Sequence, residues 1–189
     1  MFNYLGANEE LCTEDILKHE NIITKSDIVF FQAGVDSQVL EYLKKINENI
    51  FVELTEPIAP EILNGIKYVS LNESEAIKIT GEKDLKKALS KIISMGVNHI
   101  FLKLGSKGSI YYSNTTEIFC EAFPIVPVDT TGAGDAFSAG VIYALLNKFS
   151  IKESLRFANA CGALACLKKG TTEASPTIQS VLSFLDSIS

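Results

Sequence analysis

The chain has 189 residues, of which 47% are hydrophobic and 21% charged, and its formal net charge at pH 7 is −6. This composition excludes an intrinsically disordered chain, and the acidic balance argues against a nucleic-acid-binding protein because no basic stripe offsets it. No apolar run approaches the ~20 residues that span a bilayer, so we expect no membrane association. The four cysteines form no Cys-x-x-Cys pair, which argues against a zinc site or a disulfide framework and favours a cytoplasmic protein.

The first half of the chain alternates short apolar runs with helical periodicity. The predicted elements, in chain order, are a strand at 28–31, a helix at 39–46, strands at 50–54 and 66–71, helices at 73–79 and 84–95, and a strand at 99–104. This alternation is the pattern of an α/β fold whose mostly parallel sheet is covered by helices on both faces. Ligands of such sheets bind beyond the carboxyl ends of the strands.

The second half begins with a turn at 105–108. The elements predicted after it are paired antiparallel strands at 109–113 and 117–122, a strand-like stretch around Ile125 and Val126, and helices from the glycine-rich run to about 147, from 151 to 169 and from 177 to 188. We expect a single domain over residues 1–189, because no linker, internal repeat or low-complexity segment interrupts the pattern.

The most informative stretch runs from Asp129 to Phe137 and reads DTTGAGDAF. Its two glycines directly precede a helical pattern, and the first amides of a helix lack internal partners and attract phosphate. A carboxylate at Asp135 would repel phosphate, so its presence calls for a role such as proton abstraction beside a phosphoryl group. The structural alternative is a tight turn before a helix, with Asp135 as a partner of the helix dipole.

The same stretch resembles the C-terminal signature of the PfkB carbohydrate kinases, the ribokinase-like family. Shorter segments resemble other motifs of that family, namely 6–11, 72–75, 104–108, 157–160 and 169–170. The resemblance implies a three-layer α/β/α ribokinase-like fold. It also implies that the chain corresponds to the C-terminal, ATP-binding portion of the family's domain, with the N-terminal strands and the β lid missing.

An ATP-dependent sugar kinase, a phosphotransferase with an alcohol group as acceptor, is the activity that the resemblance implies. Asp135 matches the general base that takes the proton of the sugar hydroxyl. The amides of Gly132, Ala133 and Gly134 match the anion hole. The residues implied to bind ATP are Asn72, Glu75, Lys103, Gly105, Gly108 and Asn159. Mg²⁺ is the implied metal, held by Glu75 through water.

Two of these assignments have structural alternatives that the sequence leaves open. Asn72 and Glu75 also fit a helix N-cap with an acidic residue in the first turn, and both roles can hold together. Lys103 stands where many ribokinases have threonine. It either reaches the ATP phosphates as a point charge or points to solvent from a strand end.

A potassium site beside the anion hole is a further implication of the resemblance. Its ligands would come from Asp129 and Thr131 and from the carbonyls of Ala165, Lys168 and Gly170. The match is imperfect, because Ala174 stands where ribokinases often supply a serine oxygen. Loop structure without a cation is the alternative.

Ribose, which would give ribose 5-phosphate, is the acceptor favoured by the ribokinase-like segment 6–11. However, Gly34 stands where ribokinases usually have a ribose-contacting glutamate, which leaves another sugar or a nucleoside open. A truncated, non-catalytic nucleotide-binding module is the alternative from outside the enzyme class. The expected partner is a small-molecule sugar, with no nucleic acid and no membrane, and a homodimer of the full-length form stays open.

Overall fold

A computed structural model of the chain describes residues 6–188, in which six strands form one sheet in the order β1 to β6. These strands are β1 (Val29–Gln32), β2 (Ile50–Glu53), β3 (Tyr68–Asn72), β4 (His99–Lys103), β5 (Gly108–Ser113) and β6 (Glu117–Glu121). Strands β1 to β3 are parallel, with Phe31 opposite Val52 and Val52 opposite Val69. The links 104–107 and 114–116 are too short for a crossover, so β5 is antiparallel to both of its neighbours.

The sheet is mostly parallel and flanked by helices, which confirms the predicted α/β class. The α-helices of the described residues are α1 (Thr13–Leu17), α2 (Glu20–Thr24), α3 (Ser37–Ile46), α4 (Pro60–Leu63), α5 (Glu73–Thr80), α6 (Leu85–Ser94), α7 (Ala133–Leu146), α8 (Ile151–Ala165) and α9 (Ile178–Ser187). The sequence does not predict α1, α2 and α4, because each is too short to show a helical period. Between residues 6 and 188, no helix has the length and apolarity that crossing a membrane requires.

The chain divides into two compact units. The first comprises the residues up to 101 together with 112–115, and the second comprises 102–111 and the residues from 116 onward. The core of the first unit includes the fully buried side chains of Phe51, Leu71 and Ile92. Every residue of β2 is buried, which explains why the sequence there begins as an apolar run.

Helices α7 and α8 pack closely in the second unit. A Cβ atom at Gly140 would lie 2.8 Å from the Cys161 sulfur and 2.9 Å from the Cα of Ala158, so only glycine permits this approach. Cys161 and Cys166 are both buried, as expected of small apolar residues. Burial raises the pKa of the Cys161 thiol to about 12.

The strand-like stretch predicted around Ile125 and Val126 is wrong. Residues 122–132 contain no strand, and Val126 is 87% exposed. Pro124 and Pro127 flank this pair and remove two backbone donors, which a central strand would need. Of the two residues between the prolines, Ile125 instead lines a cleft in the second unit.

Candidate functional site

The second unit contains a cleft of about 310 Å³. Residues from the end of β4, the 105–108 turn, the 122–130 segment and the facing parts of α7 and α8 line it. Its apolar walls are formed by Ala122, Phe123, Pro124, Ile125, Pro127, Phe137, Ala163 and Cys166, and its polar side chains are Lys103, Ser106, Thr130 and Asn159. Apolar walls with a few polar groups are typical of a small-molecule site.

Several residues that the sequence singles out converge on this cleft. Lys103, Gly105, Gly108, Ala133, Gly134 and Asn159 all line it, although 56 positions separate the first from the last. Asp135 is the acidic residue of the first turn of α7 and is exposed. Asn72 and Glu75 belong to the first unit.

The start of α7 has the geometry expected of an anion-binding turn. Gly132 precedes the helix with a φ of +79°, a left-handed conformation that glycine adopts at little cost. The Ala133 amide donates to the Thr130 carbonyl at 3.2 Å, whereas the amides of Gly132 and Gly134 have no acceptor among residues 6–188. Such unpaired amides at a helix N-terminus carry positive partial charge.

Lys103 ends β4 and turns its side chain into the cleft. Its ammonium nitrogen lies 3.5 Å from the position that a Cβ atom would take at Gly134. The cation is therefore next to the first turn of α7. Of the two orientations that the sequence leaves open, the structure has the one directed toward the glycine-rich turn.

Gly108 brings the start of β5 close to the end of β6 and the residue that follows it. Its φ of +118° is accessible mainly to glycine, and a Cβ atom here would overlap the carbonyl oxygen of Cys120 and lie 2.7 Å from the Ala122 amide nitrogen. Gly105, at the other end of the turn, has open space within 4 Å. Gly108 is thus required for the close packing of this cleft wall.

Asn159 is buried in α8 and is held by two carbonyl groups at the end of β6. Its Nδ2 donates to the carbonyl oxygens of Cys120 and Glu121, at 3.1 Å each. Both hydrogens of the amide group are used in this way, so Oδ1 is the atom that Asn159 can offer to a ligand. Its carbonyl partners fix which end of the amide faces them.

The helix predicted to reach residue 169 ends at Ala165, so that prediction is wrong. The chain turns after Cys166, whose carbonyl accepts hydrogen bonds from the amides of Val128 and Asp129, the first at 2.8 Å. These partners lie far away in sequence, and helical periodicity carries no sign of them. As a result, Lys168 and Gly170 lie in an irregular loop beside Asp129.

The Asp129 carboxylate ties this loop to the chain that precedes α7. Its Oδ1 accepts from the Thr131 amide at 3.0 Å and from the Thr131 hydroxyl at 2.7 Å, and its Oδ2 accepts from the Gly170 amide at 3.1 Å. The Thr131 amide, followed by the Gly170 amide, lowers the pKa of Asp129 to about 2. Asp129 therefore has a structural role in addition to any role in binding a cation.

We expect the stability contributed by Asp129 to disappear in acid. Its folded-state pKa of about 2 lies below the ordinary value of 3.8, so the contribution is complete above pH ~5 and is lost as the pH falls toward 2. Urea unfolding of the wild type and of Asp129→Asn should give a difference in unfolding free energy that shrinks over this range. A difference that stays constant down to pH 2 would contradict the assignment.

Asn72 and Glu75 form a reciprocal cap at the start of α5. The Glu75 amide donates to Asn72 Oδ1 at 2.9 Å, and the Asn72 amide donates to Glu75 Oε2 at 2.6 Å. Gly81, in the left-handed conformation, ends the helix. The helix-capping role is thus confirmed, and the magnesium role of Glu75 stays a prediction.

The comparison with family models decides which family this is. The model described as "pfkB family carbohydrate kinase" matches residues 1–178. The chain belongs to the pfkB family of carbohydrate kinases. This confirms the resemblance carried by residues 129–137, which in the structure include the Asp129 turn and the first turn of α7.

Ribokinases are among the pfkB relatives of this chain. Ribokinase from Haemophilus influenzae is 31% identical over 192 residues, which cover 96% of this chain and 63% of that protein. Ribokinase from Arabidopsis thaliana is 32% identical over 95% of this chain and 52% of that protein. The chain therefore spans less than two-thirds of the length of these relatives.

Solved structures of pfkB relatives have the same fold. The structure of Arabidopsis thaliana ribokinase complexed with ribose and ATP superposes with a TM-score of 0.82 at 32% identity, covering 89% of this chain and 58% of that one. Ribokinase from Thermotoga maritima gives a TM-score of 0.89 at 29% identity, covering 97% of this chain and 64% of that one.

The pfkB motifs identify the polar parts of the cleft but not its apolar wall. Phe123, Pro124, Ile125 and Pro127 form this wall, and the sequence analysis assigned none of them to a site. The ring of Phe123 lies beneath the Arg156 guanidinium, whose carbon is 5.2 Å from the ring centre. Two prolines around an apolar pair, where neither strand nor helix can form, are the signal that could have revealed the wall.

Proposed function

We propose that this chain acts as an ATP-dependent sugar kinase, which transfers the γ-phosphoryl group of MgATP to a sugar hydroxyl. One observation carries the proposal: the start of α7 presents unpaired amides and the Asp135 carboxylate within one turn, at the edge of an apolar cleft. Amides at a helix N-terminus stabilise a phosphoryl group, and a carboxylate next to them can accept a proton. Phosphoryl transfer to an alcohol uses both functions.

In this proposal Asp135 is the general base, and the amides of Gly132, Ala133 and Gly134 form the anion hole. Asp135 is exposed, so an acceptor hydroxyl can reach its carboxylate. The amides of Gly132 and Gly134 can bind a phosphoryl oxygen directly, whereas the Ala133 amide must first give up its bond to Thr130. The amides stabilise charge on the phosphoryl oxygens while the carboxylate takes the proton.

The nucleotide is proposed to lie in the cleft with its base against the apolar wall. A planar base buries apolar surface there, and Asn159 Oδ1 and the polar groups near Lys103, Gly105 and Gly108 supply polar contacts. The similarity to a ribokinase whose structure is described as a complex with ribose and ATP supports this placement. Asn72 and Glu75 of the first unit stay predicted ATP-binding residues on the strength of the resemblance.

Mg²⁺ is proposed as the metal cofactor, with Glu75 as the residue that holds it through water. Glu75 Oε2 already accepts the Asn72 amide, which leaves Oε1 as the carboxylate oxygen suited to a water-mediated contact. When bound, Mg²⁺ neutralises charge on the nucleotide phosphates.

A potassium ion is proposed beside the Asp129 turn. Because α8 ends at Ala165, the carbonyl of this residue has no acceptor role within the helix and suits an oxygen-ligated cation, as do the loop carbonyls of Lys168 and Gly170. Asp129 and Thr131 would complete the ligand set. The Asp129 carboxylate already accepts three hydrogen bonds. The cation would therefore be bound mainly by the carbonyl oxygens.

Ribose is the proposed acceptor, and cytoplasmic location is part of the proposal. Two ribokinases match more than nine-tenths of the chain, which supports ribose, whereas Gly34 in place of a glutamate keeps other sugars and nucleosides as alternatives.

The cysteines of the described residues are free thiols, which suit a reducing compartment. A single domain over residues 1–189 and a homodimer of the full-length form stay predictions.

The test combines nucleotide binding with acceptor screening. Calorimetry should detect binding of MgATP, and an assay of ADP release should show turnover with ribose above that with fructose, adenosine or no acceptor. Binding without turnover on any acceptor would favour the non-catalytic nucleotide-binding module. Absence of MgATP binding would refute the proposed function.

A further inference from the structure

A second groove, of about 180 Å³, lies between α8 and α9 in the second unit. The residues that line it are Phe149, Glu153, Arg156, Phe157, Leu182 and Leu185, none of which lines the cleft proposed to hold the nucleotide. Leu182 is 46% exposed, and Ile178, which lies one turn earlier on the same face of α9, is 42% exposed. Exposed apolar side chains beside a groove are typical of a surface that another molecule covers.

Two opposite charges line this groove, three positions apart in α8. Between residues 6 and 188, the side chains of Glu153 and Arg156 form no ion pair, either with each other or with a third residue. Glu153 Oε2 accepts a hydrogen bond from the Ser150 amide at 2.8 Å, whereas the Arg156 guanidinium lies over the Phe123 ring. The other carboxylate oxygen of Glu153 and the in-plane N–H groups of Arg156 are therefore available to a partner.

We propose that a second copy of this chain binds at this groove and that the two copies form a symmetric dimer. In a twofold dimer the same surface of both copies is in contact, so the surface must be complementary to itself. Glu153 and Arg156 are neighbours on one face of α8, because residues three positions apart in a helix lie side by side. A twofold axis that passes between them sets each Glu153 against the Arg156 of the other copy. This pattern of charge favours a second copy over an unrelated protein.

The apolar residues suit the same dimer. Phe149, Phe157 and Leu185 pack in the core between α7, α8 and α9, so the walls of the groove are held in place before a partner binds. The exposed parts of Leu182 and Ile178 would be removed from water by their counterparts in the second copy, which is favourable. The dimer does not depend on the proposed kinase activity, because the groove and the cleft are lined by different residues.

Analytical ultracentrifugation of the full chain tests the dimer. We expect the wild type to dimerise between about 1 and 100 µM, since weak protein interfaces have micromolar dissociation constants. Arg156→Glu places two carboxylates together at both contacts of the dimer and should raise its Kd at least about 100-fold. Glu153→Arg should have the same effect through two guanidinium groups. A 1:1 mixture of the two variants should form a dimer again, because each contact then joins a carboxylate to a guanidinium.

Two matched controls separate the groove from the rest of the surface. Lys152→Glu changes the net charge as much as Arg156→Glu does, but Lys152 is exposed in the first turn of α8 and does not line the groove. Its Kd should stay within about threefold of the wild-type value. Leu182→Glu should prevent dimerisation, whereas Leu146→Glu, at an exposed leucine outside the groove, should not. Circular dichroism shows whether each variant is folded.

Three outcomes would overturn the inference. The first is a wild type that stays monomeric up to about 100 µM, where a weak interface is already populated. The second is a dimer that Arg156→Glu and Leu182→Glu leave intact, because it would use another surface. The third is a mixture of folded Arg156→Glu and Glu153→Arg that stays monomeric, because the two charges would then not meet. All three leave MgATP binding untouched, so they are distinct from a failure of the proposed function.

Discussion

Asp135→Asn should lower kcat for phosphoryl transfer by about 10²- to 10⁴-fold, the range for loss of a general base. Asparagine has nearly the same shape as aspartate but cannot take up the hydroxyl proton. MgATP affinity should be kept or increased, because the substitution removes a negative charge next to the bound phosphates. Steady-state kinetics with the preferred acceptor and calorimetry with MgATP measure the two effects separately.

Asp186→Asn is the control for this experiment. Asp186 is exposed in α9 of the same unit and does not line the cleft, so its replacement should leave kcat unchanged. The stability of Asp135→Asn provides a second check. Loss of a carboxylate from a helix N-terminus costs only about 0.3–1 kcal/mol, so the variant should remain folded. A folded Asp135→Asn with wild-type kcat would contradict the role of Asp135 as the base.

Gly108→Ala should destabilise the protein by roughly 3 kcal/mol or more. Two costs add here: about 1–3 kcal/mol for a non-glycine residue in a backbone conformation that strongly favours glycine, and about 1–3 kcal/mol for an overpacked contact. The contact is with backbone atoms, the Cys120 carbonyl and the Ala122 amide, which cannot rotate away as a side chain could. Urea unfolding monitored by circular dichroism measures the loss.

Gly105→Ala tests whether the effect at Gly108 comes from the contact. Gly105 also has a positive φ, of +58°, but a Cβ atom there meets nothing within 4 Å. Its replacement should therefore cost only about 1 kcal/mol, from the left-handed backbone alone. Equal losses in the two variants would show that backbone conformation, and not the packing against Cys120 and Ala122, governs this turn.

Local signals in the sequence were sufficient to predict some elements almost to the residue. Helix α5 is an example: Asn72 caps it, Glu75 completes the cap, and Gly81 ends it, all within ten residues. Strand β2 was predicted because its burial produces an apolar run. Asp135 at the start of α7 was likewise predicted, from the glycines that precede it.

Features that depend on distant partners could not be predicted in this way. The end of α8 depends on the Cys166 carbonyl and its donors Val128 and Asp129, which lie almost 40 residues earlier. The side chain of Asn159 is held by carbonyls of Cys120 and Glu121, 39 and 38 positions away. No periodicity or capping pattern in a single sequence encodes such contacts.

Lys103 shows the same limit at the site itself. The sequence left open whether its side chain points to a ligand or to solvent, because strand alternation alone does not fix a residue at a strand end. The structure places its ammonium beside Gly134. That neighbour is 31 positions away in the sequence, and only the folded second unit brings the two together.

In the proposed function, the phosphates of a nucleotide bind at the start of α7. An NMR titration of the ¹⁵N-labelled chain with MgATP tests it most directly. We predict that the amide signals of Gly132 and Gly134 shift strongly, together with those of residues that line the cleft, and that the signals of α9 stay in place. Binding that shifts signals elsewhere and leaves residues 129–137 unchanged would contradict the claim.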